Sequence, residues 1–105
     1  MNINKLAENL GLEPEEYMEI LELLVDSGKA DINSLEEAIA AGSAERVVAA
    51  AHSIKGASAN LGLTELSEAA RDMELNAREQ NLDGMTEKIQ VLKAKFEPVA
   101  SLFQP

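Results

Sequence analysis

Residues 14–41, PEEYMEILELLVDSGKADINSLEEAIAA, predict one long amphipathic helix. When each residue advances by about 100°, the apolar side chains form one stripe. That stripe comprises Tyr17, Ile20, Leu21, Leu24, Ile32, Leu35 and Ile39. Pro14 suits a first helical turn, and Glu15 and Glu16 complement the positive end of the helix. The stripe keeps its phase across Gly28, so we expect one helix rather than two, although glycine there costs about 1 kcal/mol relative to alanine.

Short turn sequences separate this helix from its neighbours. A short amphipathic helix precedes it and ends at Gly11; its apolar positions are Ile3, Leu6, Ala7 and Leu10. Gly42 and Ser43 then supply a helix stop and an N-cap within one tight turn. The next predicted helix spans residues 44–61 and stops at Gly62; its inward stripe is Val47, Ala51, Ile54, Ser58 and Leu61.

Two further helices follow, and together the pattern predicts an all-α fold. We expect Thr64 to cap a helix that runs to about Gln80, with Leu66, Ala70, Met73 and Ala77 inward. After a turn over residues 81–84, a last helix, kinked at Pro98, carries Met85, Ile89, Leu92, Phe96, Val99 and Phe103. Helices joined by such short connections lie antiparallel. We therefore expect an antiparallel up-down-up-down four-helix bundle with a short extra N-terminal helix packed on one end, as one domain over residues 1–105.

Composition limits the functions that such a bundle can have. The chain holds 9 Lys and Arg against 19 Asp and Glu, a net charge of −10, which repels nucleic acid. No apolar run approaches the roughly 20 residues that span a bilayer, and the first residues do not resemble a signal peptide, so we expect a cytoplasmic protein without membrane attachment. With no cysteine and a single histidine, we expect no metal site.

The histidine lies on the outer face of the helix predicted over residues 44–61. His52 and Gly56 fall about 140° to 180° from its inward stripe. The positions around the histidine are Ala49, Ser53, Lys55, Gly56 and Ala59. Exposed helix positions usually carry long polar side chains, and a glycine here fills no core role. The pattern therefore predicts a flat surface where a partner docks, with Ala49, Ser53 and Ala59 as contact positions.

A lone exposed histidine is most often an ordinary surface residue, but its surroundings here favour a second interpretation. Imidazole is available in its neutral form near neutral pH, and that form can attack phosphorus. Lys55, one turn after His52, can balance the charge of an added phosphoryl group. The residues thus suit reversible phosphorylation.

The segment over residues 52–62, HSIKGASANLG, resembles the histidine-containing phosphotransfer (HPt) domains of multistep phosphorelays. The likeness continues through residues 38–42, AIAAG, and residues 71–74, RDME. It implies that His52 accepts a phosphoryl group from the aspartyl phosphate of one receiver domain and donates it to another. The partners would be receiver domains of response regulators or hybrid histidine kinases. They would supply the acidic groups and Mg²⁺, so this chain would need no cofactor and would not itself be an enzyme. We also expect a monomer, because Lys55 and Gly56 stand where dimerising histidine kinases have acidic, basic and proline residues after the histidine.

Glu74 is a further candidate site residue with two interpretations. It lies at the border of the inward stripe of its helix. The resemblance implies that it forms a hydrogen bond with the imidazole of His52. The alternative is an ordinary surface ion pair with Arg71 or Arg78, three and four residues away.

Two other functions use the same residues. A non-phosphorylated adaptor would dock a partner through the small-residue face, with His52 incidental. The substrate domain of a chemotaxis-type histidine kinase shares the motif but receives its phosphoryl group from an ATP-binding kinase domain. The chain has no Gly-rich ATP loop and is too short for such a kinase domain, so we do not expect autophosphorylation.

Overall fold

The computed structural model describes residues 1–104, and within that range it is all-helical with no strand. The molecule measures 41 × 27 × 18 Å. Its helices are α1 (Ile3–Asn9), α2 (Pro14–Ala40), α3 (Ala44–Asn60), α4 (Thr64–Arg78) and α5 (Met85–Ala100), followed by a short 3-10 turn over Ser101–Phe103. The predicted all-α fold is confirmed, including the continuous helix through Gly28.

Contacts between neighbouring helices establish their directions. As residue numbers rise along one helix, the numbers of their partners on the next helix fall. Tyr17–Leu61 and Asp31–Ser53 join α2 to α3, and His52–Glu74 and Lys55–Ser67 join α3 to α4. Glu65–Lys95 and Asp72–Lys88 join α4 to α5, and Gly28–Phe96 and Glu36–Lys93 join α2 to α5. Helices α2 to α5 therefore form the predicted up-down-up-down bundle, and α1 packs against α2 at one end.

The core is built from the predicted apolar stripes. Its largest fully buried apolar side chains are Tyr17, Leu21, Leu35, Met73, Met85 and Leu92. Some stripe positions are less buried than expected: Leu10 and Ile20 are 42% and 40% exposed, and Ile3, Leu6, Ile39 and Phe103 are only half-buried. Ile20 lies at the edge of the α2 stripe, and Ile39 lies in the last turn of α2, where fewer neighbours cover it. No helix within residues 1–104 has the length and apolar character needed to cross a membrane.

Several helix ends differ from the predicted ones. Thr64 does not cap α4 but is its first helical residue, because the backbone N–H of Ser67 already bonds to the carbonyl of Leu63 at 3.0 Å. Helix α4 ends at Arg78, since Gln80 takes a left-handed conformation with φ of 62° that stops the helix. Helix α5 continues past Pro98 to Ala100, and the chain then tightens into the 3-10 turn instead of remaining α-helical to residue 103.

Gly28 has a packing role that the sequence pattern does not reveal. It is buried in the middle of α2, where that helix passes close to α5. A Cβ atom at this position would lie 2.6 Å from Cε1 of Phe96, well inside van der Waals contact. Only glycine lets α2 and the ring of Phe96 approach this closely, which offsets its low helix propensity.

Alanine substitutions at two helical glycines are expected to change stability in opposite directions. Gly28→Ala should lower the free energy of unfolding by about 1 to 2 kcal/mol, because displacing the Phe96 ring outweighs the gain in helix propensity. Gly56→Ala, whose Cβ would meet nothing within 4 Å, should raise it by up to about 1 kcal/mol. Urea denaturation of both variants and the wild type measures the two changes in the free energy of unfolding. Equal stabilisation by the two substitutions would show that Phe96 places no constraint on Gly28.

Candidate functional site

His52 lies on the outer face of α3, where its side chain is 61% exposed. Its Nδ1 atom is 2.8 Å from Oε2 of Glu74 on α4, and no hydrogen bond to Nε2 occurs within residues 1–104. Because adjacent antiparallel helices place these residues side by side, one edge of the ring is held and the other faces solvent. The exposed imidazole therefore has a fixed orientation.

Glu74 is more deeply buried than its border position in the sequence pattern predicts, with a side chain only 3% exposed. Three donors surround its carboxylate. His52 Nδ1 and Arg78 Nη2 both contact Oε2, at 2.8 and 2.7 Å, and Lys55 Nζ contacts Oε1 at 2.7 Å. The two interpretations of Glu74 thus hold at once, since it contacts the imidazole and also forms an ion pair. Its arginine partner is Arg78, and Arg71 is not among its contacts in the described chain.

The charge state of Glu74 follows from these contacts. Burial alone would raise the pKa of its carboxyl, but hydrogen bonds from Lys55, Arg78 and His52, together with the charge of Lys55, lower that pKa from 4.5 to about 2. The group is therefore ionised at neutral pH and can only accept hydrogen bonds. A neutral imidazole of His52 must then carry its proton on Nδ1, which leaves the lone pair on the exposed Nε2.

The surface around His52 is open and built from short side chains. Ala49, Ser53 and Ala59 are exposed, as the sequence pattern predicts, and there is free space above Gly56. The hydroxyl of Ser53 donates a hydrogen bond of 2.7 Å to Oδ2 of Asp31 on α2. This bond extends the face from α3 onto α2.

Lys55 is placed differently from the sequence-based expectation. Its side chain, 31% exposed, reaches the buried carboxylate of Glu74 instead of standing free beside the histidine. Asp31 could not be predicted as part of this face, because no periodic pattern links a residue on α2 to one on α3. The spacing of four residues between Glu74 and Arg78 predicted that these two side chains could pair, and the structure shows this pair and not one with Arg71.

In the part of the chain that the structure describes, the histidine belongs to no metal-ligand cluster and lies on an exposed helix face. Within residues 1–104, no group of three or more His, Cys, Asp or Glu side chains lies close enough to hold a metal ion. A groove of about 510 Å³ lies where α1 and α5 meet the connection between α3 and α4, and His52 does not line it. What the site offers chemically is one oriented nucleophilic nitrogen on an open face.

The site is an exposed imidazole held at Nδ1 by a buried carboxylate on a four-helix bundle. A comparison with known families agrees with it, because the model of the Hpt domain matches residues 19–101. The chain belongs to the Hpt family. It is also similar to the crystal structure of histidine-containing phosphotransfer protein B (HptB) from Pseudomonas aeruginosa PAO1. The two share 31% sequence identity and a TM-score of 0.83, over 93% of this chain and 85% of that chain. No curated protein sequence matches this Hpt domain significantly.

Family membership places the chain among the histidine phosphotransfer proteins of phosphorelays. Hpt domains are intermediates in phosphotransfer rather than catalysts, and they interact with receiver domains of two-component systems. A single oriented imidazole on an exposed helix face is consistent with this role.

The buried carboxylate predicts a pH dependence of stability that Glu74→Gln removes. Because folding lowers the pKa of Glu74 from 4.5 to about 2, its ionised form stabilises the fold above about pH 4.5, and this contribution is lost as the pH falls towards 2. The full contribution is about 3 kcal/mol. In urea denaturation from pH 7 to pH 2, the stability difference between wild type and Glu74→Gln should shrink across that window.

Glu65→Gln is the matched control, because Glu65 forms an ion pair with Lys95 on the surface and its side chain is 78% exposed. It should follow the wild-type pH profile closely. A Glu74→Gln profile parallel to the wild type would contradict the assignment of Glu74 as an ionised, hydrogen-bonded carboxylate.

Proposed function

We propose that His52 accepts a phosphoryl group on Nε2 from the aspartyl phosphate of one receiver domain and passes it to the aspartate of another. The observation that carries this proposal is the 2.8 Å contact between Nδ1 of His52 and Oε2 of Glu74. It leaves Nε2 as the free, solvent-facing nucleophile. Membership of the Hpt family supports the same reaction.

In the proposed transfer, one bond to phosphorus forms as another breaks, and the imidazole ring carries the resulting positive charge. The lone pair of Nε2 forms the N–P bond while the acyl O–P bond breaks, and the electrons of the broken bond leave with the receiver carboxylate. The ring keeps its proton on Nδ1 and so becomes cationic. Glu74, ionised and in contact with Nδ1, stabilises that positive charge. Donation to the second receiver reverses each of these changes.

The partner receiver supplies what this chain lacks. We propose that receiver domains of response regulators or hybrid histidine kinases bring acidic side chains that hold a Mg²⁺ ion, and that this ion neutralises charge on the transferring phosphoryl group. Lys55 adds a positive charge one turn from His52. The receiver would dock over Ala49, Ser53, Gly56 and Ala59, where short side chains let its active site reach Nε2.

Replacement of the nucleophile tests the proposal directly. His52→Gln should abolish the acid-labile, base-stable label that wild type acquires from a phosphorylated receiver in Mg²⁺. Because the side chain is exposed, the helical circular dichroism should be unchanged and the free energy of unfolding should fall by no more than about 1 kcal/mol. Equal labelling of the variant and the wild type would end the phosphotransfer proposal. If wild type also binds receivers but takes up no label, the adaptor interpretation replaces it.

Access to Nε2 is tested one turn along the helix. Gly56→Gln should raise stability by up to about 1 kcal/mol through helix propensity, yet slow phosphotransfer strongly, because a long side chain would stand where the receiver docks. Gly56→Ala is the matched control, since it gives a similar gain in stability but adds only one methyl group. Normal transfer by both variants would show that the space above Gly56 has no role in docking.

A further inference from the structure

Glu74 is bound by more positive charge than its own neutralisation requires. One carboxylate faces two cations, Lys55 at Oε1 and Arg78 at Oε2, each at 2.7 Å. With a neutral His52, this cluster carries a net charge of +1. One of the two cations would suffice to pair the buried carboxylate, so the second calls for a separate explanation.

The two cations lie on different helices and are placed to act in different states of the protein. Lys55 lies on α3, the helix of His52, one turn from the phosphoacceptor, and its flexible stem can reach a group on Nε2. Arg78 lies on α4, the helix of Glu74, one turn from that carboxylate. It contacts the same oxygen as Nδ1, so it sits on the edge of the ring away from the transferred group.

Phosphorylation changes the competition for Lys55. A phosphoryl group on Nε2 adds about two negative charges and three strong acceptor oxygens within reach of the ammonium group. If Lys55 turns towards it, Oε1 of Glu74 loses its ion-pair partner. Glu74 then has Arg78 and the cationic ring itself as partners, and without Arg78 its buried charge would rest on Nδ1 alone, so this contact would open more often.

We propose that Arg78 is a positioning residue that holds the carboxylate of Glu74 on Nδ1 of His52 when Lys55 is drawn to the phosphoryl group. This inference rests on the proposed phosphorylation of His52. It assigns Lys55 and Arg78 different roles in the free and in the phosphorylated protein. In the free protein either cation keeps Glu74 in place, so Arg78 is redundant, whereas in the phosphorylated protein Arg78 is the cationic side chain that remains on Glu74 beside the ring itself.

The experiment compares the Nδ1 proton of His52 in both states by NMR, where a single histidine makes the imidazole signal unambiguous. The phosphoprotein is prepared with phosphoramidate, which needs no receiver domain. In the free state, the Nδ1 proton should be retained in wild type, in Arg78→Gln and in Lys55→Gln, and lost in the double variant. In the phosphorylated state, the Nδ1 proton of Arg78→Gln should exchange with water about tenfold faster than in wild type, or more.

Arg71→Gln is the matched control, because Arg71 is an exposed arginine on the same helix that does not contact Glu74. It should behave as wild type in both states. Equal exchange in phosphorylated Arg78→Gln and wild type would overturn the inference. So would loss of the Nδ1 proton from Arg78→Gln already in the free state, because that would give Arg78 a static role. Transfer from receivers is assayed separately, so failure of the proposed function and failure of this inference are distinguishable.

Discussion

The burial of the Glu74 carboxylate between α3 and α4 links the packing of this bundle to its chemistry. A buried charge is tolerated only when donors surround it, and here two of the three donors come from α3. Lys55 and His52 on α3 therefore contribute to the packing of these helices, together with Arg78 on α4. The same contacts orient the imidazole and determine which nitrogen carries its proton. A change in how α3 and α4 pack would alter stability and reactivity together.

The charge distribution also follows from this carboxylate. The chain as a whole carries a net charge of −10, yet the cluster of Glu74, Lys55 and Arg78 has a net charge of +1 beside His52. Placing a phosphoryl group on an acidic protein requires such local compensation, because two more negative charges would otherwise add to the repulsion. The proposed docking face would contribute in a different way, since short side chains around His52 would leave room for a partner to supply further positive charge.

Sequence periodicity was sufficient for the architecture because each helix buries one stripe and the connections are short. It predicted α2 as one helix across Gly28, but it could not reveal why glycine is required there, since the reason is the ring of Phe96 on a helix far along the chain. The cap of α4 was wrong by one residue because the turn after α3 gives the cap position to Leu63. The predicted burial of Ile20 was wrong because this residue lies at the edge of the apolar stripe of α2, and the positions of the neighbouring helices determine which edge is buried.

The site was predictable to a different degree. His52, Lys55 and Gly56 form a local pattern on one helix, so their shared neighbourhood could be recognised from spacing alone. The burial of Glu74 could not, because a carboxylate at the border of a stripe is exposed or buried according to the donors that a second helix presents. The bond between Ser53 and Asp31 depends on the register of α2 against α3, which no single-helix pattern contains.

The two glycines inside helices show how the bundle separates stability from function. Gly28 is surrounded, and its missing side chain allows α2 and α5 to approach, whereas the space around Gly56 is empty. The first therefore contributes to packing within the molecule. The second lowers helix propensity and has no packing partner in the described chain that would compensate. A local cost without an internal compensation is the pattern expected where a surface is shaped for an external partner, and Gly56 lies one turn from the exposed nitrogen of His52.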